Sequence, residues 1–149
     1  MKTNLIGQYM IYKMYKQDIN DMETLFFLPD ESFSRYFRRI TSLNAYKADG
    51  YQIAGVMYVS HEAYLNARLQ SHVEDYCELD AQEQDTRRRF RIRELDEEVA
   101  VKTLELIADQ KWTVMKQIAM TVRRLTSHDY DVENEIALQL YDQYLKAIL

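Results

Sequence analysis

The sequence predicts an all-α fold, a compact bundle of about five to seven helices forming one domain over residues 1–149, with a short strand as the alternative near 51–59. Three observations carry this expectation. Only three glycines (Gly7, Gly50, Gly55) and one proline (Pro29) occur, so neither strong breaker appears from Val56 to Leu149. Apolar residues recur at three- and four-residue spacing over most of the chain. Opposite charges stand four apart at Glu83 and Arg87, Asp85 and Arg89, and Arg93 and Glu97, which favours a solvated helix.

Taken in order, Leu5, Tyr9, Tyr12 and Ile19, with Ile6, Met10 and Met14 adjoining, predict a first helix. Pro29 ends a cluster of Leu25, Phe26, Phe27 and Leu28, and Asp30 or Ser32 can cap a second helix carrying Phe33, Phe37, Ile40 and Leu43. Asp49-Gly50 marks a turn. The stretch 51–60 reads as helix, although its Val, Ile and Tyr content also suits a strand. Ser60 can cap a helix from His61 to about Cys77, and a charged helix follows. Ile92, Leu95, Val99 and Leu106 then predict a narrow core stripe, and Trp112, Met115, Ile118, Val122 and Leu125 a further helix. The last helix carries Ile136, Ala137, Leu140, Tyr141, Tyr144, Leu145 and Ile148, with Asp129 or Asp131 as its cap.

Composition narrows the functional classes. The single Cys77 cannot form an internal disulfide, which fits a reducing cytoplasm. Lysines and tyrosines interrupt the apolar positions of the first eighteen residues, so no leader or membrane span is expected. A net charge of −5 disfavours a surface that tracks a phosphate backbone throughout, while leaving room for a focused basic patch. No glycine-rich phosphate loop, nucleophile elbow or paired-cysteine site occurs, and no catalytic residue, cofactor or metal is assigned. His61, His72 and Cys77 lack a metal-ligand spacing, since a zinc helix motif would need histidine where Leu65 stands. The run from Asp129 to Glu135 begins like a calcium loop, but Asn134 replaces the glycine and Leu140 the closing glutamate, so capping explains it better.

Two charged constellations remain. Glu74, Asp75, Glu78, Asp80, Glu83 and Asp85 form an acidic block able to occupy a groove that normally holds phosphates. Arg87, Arg88, Arg89, Arg91 and Arg93 follow at once and can contact phosphates, but flanking acids make internal pairing the first expectation. The segment 51–69 partly fits a helix-turn-helix, with Tyr58 where glycine often bends the chain. Arg123 and His128 stand with four residues between them, a spacing that resembles the arginine–histidine motif of the small helical ribonucleases called HEPN domains. That resemblance implies proton transfer by His128 and phosphate binding by Arg123. Arg124 departs from the smaller polar residue usual there, and capping is the simpler role for His128.

The expectation for function is therefore a non-enzymatic binding protein that regulates or inhibits a macromolecular partner, either a protein or a nucleoprotein. In style the chain resembles the compact acidic accessory proteins of phages and mobile elements, including inhibitors of CRISPR effectors. Nucleic acid and a second copy of the chain are the other partners considered, and a DNA-binding regulator and a helical ribonuclease are the alternatives.

Overall fold

A computed structural model describes residues 8–149, and it corrects the all-α expectation: four α-helices accompany a three-stranded antiparallel sheet. The elements run β1 (Tyr9–Lys16), β2 (Asp21–Phe27), α1 (Phe33–Ala48), β3 (Gln52–Val59), α2 (His61–Arg91), α3 (Glu97–Ser127) and α4 (Glu135–Ile148). The chain divides into two compact units, residues 1–64 and 65–149.

In the first unit the expected N-terminal helix is instead β1, a short 3-10 turn (Gln17–Ile19) and β2; Leu5 and Ile6 lie outside the described residues. The residues that mimicked a helical face alternate across a strand. Met10, Tyr12 and Met14 point into a core with Phe27, Leu43 and Tyr51, while Lys13 between them is exposed. Strand β1 is central, in the order β2-β1-β3, with Met10 opposite Phe27 and Tyr58. The hairpin turns at Asn20, whose φ of 49° is left-handed and whose side chain accepts from the Tyr15 hydroxyl. Strand β3 corrects the helix expected over 51–60: its Val, Ile and Tyr content pairs with β1 as a strand, with one irregularity opposite Lys13 and Met14.

Helix α1, capped by Ser32, spans the route from β2 to β3. Arg39 fixes it, donating to Asp30 at 2.6 Å and to the Tyr12 hydroxyl at 3.1 Å. At its far end Tyr46 packs edge-on against Tyr51, whose hydroxyl donates to Asp21 at 2.5 Å and is pushed up to about 12 by that carboxylate.

The second unit is helical. The helices predicted around the charge block prove to be parts of two 31-residue helices, α2 and α3, each about 46 Å long. The break falls at residues 92–96, where Arg93 has a φ of 63°. Ile92 therefore lies outside α3, and Ile92, Val99 and Leu106 are exposed rather than forming a core stripe; Ala100 and Ile107, one residue on, are buried instead. The expected Ile118, Val122 and Leu125 are buried, as are Leu65, Leu69 and Val73 of α2. Asn134, rather than Asp129 or Asp131, caps α4 by accepting from the Ala137 N–H. Asn66 of α2 holds the preceding loop, donating to the Asp131 carbonyl and accepting from the Glu133 N–H.

Candidate acidic groove between α2 and α3

The six acids named from the sequence all lie on α2, but they differ in partners. Asp80 and Glu83 share Lys111 of α3, at 2.9 and 3.5 Å, and its ammonium also sits 4.9 Å over the Tyr76 ring. Burial works against that ammonium, yet the Asp80 bond and the surrounding negative charge hold its pKa above the usual lysine value. Asp85 pairs with Arg88 at 2.9 Å, and Glu74 accepts from Gln70 at 3.1 Å.

Asp75 and Glu78 remain. With Leu79 and Gln82 they occupy one face of α2, at i, i+3, i+4 and i+7, and face Asp109, Gln110, Thr113 and Val114 of α3 across a groove of about 600 Å³. Among the described residues no cation pairs with Asp75, Glu78 or Asp109. Burial, followed by repulsion from Glu78 and Glu74, raises the Asp75 carboxyl above its ordinary value. The groove thus combines unbalanced negative charge with an apolar floor of Leu79 and Val114. Its acids do not converge as metal ligands do; no ligand cluster of three or more His, Cys, Asp or Glu occurs among the described residues. Asp109 was missed in the sequence because an isolated acid in a long helix gives no sign of which neighbouring helix it faces.

The arginine run is largely engaged internally. Arg87 pairs with Glu83 at 3.7 Å, Arg88 with Asp85, and Arg89 with Glu94 at 3.2 Å beyond the helix end. The expected pairs from Asp85 to Arg89 and from Arg93 to Glu97 are not among the ion pairs of the described residues, because the break at 92–96 redirects both arginines. Arg91 and Arg93 are exposed near that break.

The helix-turn-helix reading of 51–69 loses its first helix to β3; only its second survives, as the start of α2, where Ser60 accepts from the Ala63 N–H. Arg123 donates to the Tyr141 hydroxyl at 3.4 Å, while the His128 ring lies 2.8 Å from the Arg124 carbonyl and stacks on Tyr130. Each of these two residues thus has a local role at the end of α3.

Among the described residues no helix is long and apolar enough to cross a membrane. No protein-family model, curated protein or solved structure matches the chain.

Proposed function

We propose that the chain is a non-enzymatic protein that binds a macromolecular partner and regulates or inhibits it, with the α2–α3 groove receiving a basic segment of a protein or nucleoprotein. The observation that carries this reading is the contrast within one acidic block. Asp80, Glu83 and Asp85 are balanced by Lys111, Arg87 and Arg88, whereas Asp75, Glu78 and Asp109 are not balanced by any cation of the described residues. A lysine or arginine entering between them gains charge-assisted hydrogen bonds and can lay its methylene stem on Leu79 and Val114. Such a segment would otherwise hold a phosphate, so occupation of this kind inhibits by competition. The reading also places the protein in a reducing cytoplasm, where a lone exposed Cys77 stays reduced.

A fluorescent oligoarginine peptide is the probe. Its affinity, read by anisotropy at low salt, should fall about tenfold or more, equivalent to roughly 1.4 kcal/mol, in a chain carrying Asp75→Asn, Glu78→Gln and Asp109→Asn. Neutralising Glu97, Glu105 and Glu135, which do not line the groove, makes the same change in net charge and should cost much less. Equal losses from the two sets, or no binding by the parent chain, would sink the reading.

A further inference from the structure

The open edge of the sheet carries a different property. Strand β3 pairs with β1 on one side and with no strand among the described residues on the other. Its sequence, QIAGVMYV, contains no charge and no proline, the devices that usually keep an exposed edge from pairing with another chain. The irregularity at Ala54 leaves Gly55 to Val59 regular. Ile53, Val56, Met57 and Tyr58 are all exposed, although such residues favour half-buried strands. The other free edge, on β2, differs: Asp21 and Glu23 stand on it.

Helix α1 extends this surface. Arg39 and Tyr46 tie it towards β2, through Asp30 and through the Tyr51 bond to Asp21. Phe33, Phe37 and Ile40 lie roughly 100–160° round the helix from Arg39, on the flank towards β3. Phe33 is 78% and Phe37 59% exposed, the two rings stacking on each other at 6.0 Å. Together with the four β3 side chains they expose on the order of 600 Å² per copy, taking about 200 Å² for a large side chain. A standard interface buries about 800 Å² per partner, and the strand backbone supplies much of the difference.

We propose that β3 is a homodimer interface, in which two copies pair their β3 edges antiparallel about a two-fold axis to make one continuous sheet, flanked by the α1 aromatics. A second copy is the fitting occupant because the strand is neutral along its whole length. Self-pairing therefore opposes no like charges, whereas self-pairing of β2 would crowd Asp21 and Glu23.

Light scattering of the full chain over a dilution series should give twice the 17.9 kDa chain mass at the concentrated end. Val56→Lys, which places charge at the pairing edge, should weaken dimerisation about tenfold or more. The double change Phe33→Ser and Phe37→Ser, at two exposed helix positions, should weaken it too while leaving the circular dichroism of the chain unchanged. Hydrogen exchange should show β3 amides gaining protection with concentration. A chain that stays monomeric into the hundreds of micromolar overturns the proposal, as does a dimer indifferent to both variants. A monomer whose β3 amides lose protection only when residues 1–7 are removed also overturns it, and assigns the edge to that segment.

Discussion

His72 on α2 shows how a partly buried ionisable group ties stability to pH. Burial, reinforced by the nearby Arg68 charge, lowers its pKa from 6.5 to about 4. The unfolded chain therefore takes up a proton on His72 at a higher pH than the folded chain does. The contribution is complete above the unfolded pKa of 6.5 and is lost as pH falls towards about 4. Because part of the ring still meets water, the loss is about 1–2 kcal/mol rather than the full value of the shift. Asp75 acts in the opposite sense, since its raised pKa lets the folded chain take its proton first. Urea titrations at closely spaced pH values should show His72→Gln losing less stability than the parent between pH 6.5 and about 4. Parallel declines in the two chains would remove His72 from this account.

Helix ends explain both where the sequence was readable and where it was not. Three ends share one hydrogen-bond pattern, a six-residue bond enclosing a tighter one: Tyr51 N–H to the Tyr46 carbonyl, Glu94 to Arg89, and Tyr130 to Leu125. Each needs a left-handed residue, supplied by Gly50, Arg93 and Asp129. The first announces itself as the Asp49-Gly50 turn, and the third falls in the polar run Thr126 to Asp129 that separates the last two helices. Arg93 sits among like-looking charged residues, so the end of α2 was read as continuous helix, and the core stripe of α3 slipped by one residue. Strand β1 was hidden for another reason: in a strand apolar on nearly every position, period two and period 3.6 select many of the same residues. The end of α2 makes a prediction. Arg93→Gly should raise stability by about 0.5–1 kcal/mol, because glycine reaches this backbone region without a Cβ clash. Arg93→Ala, which deletes the same charge but keeps the clash, should give no such gain. Denaturant midpoints at constant slope distinguish the two, and a loss on glycine substitution would contradict the role given to this turn.

At the scale of the whole chain, charge is unevenly shared. Residues 1–64 hold equal numbers of basic and acidic side chains, so the entire net charge of −5 falls on the helical unit. The acidic block was legible as a block of letters, but which of its members are neutralised depends on Lys111, some thirty residues away on a second helix. The same distribution governs how a basic partner would arrive. A concentrated negative field draws cations over distances comparable to the screening length, about 8 Å at physiological salt, whereas carboxylates in direct contact are screened much less. Encounter and residence should therefore respond differently to salt. In stopped-flow mixing with the oligoarginine peptide, added salt should slow association steeply and change dissociation far less. Neutralising Glu97, Glu105 and Glu135 should lower mainly the association rate, and neutralising Asp75, Glu78 and Asp109 should also speed dissociation. If the two triple variants alter only the association rate, and by the same amount, the field alone draws the peptide in and the groove does not hold it.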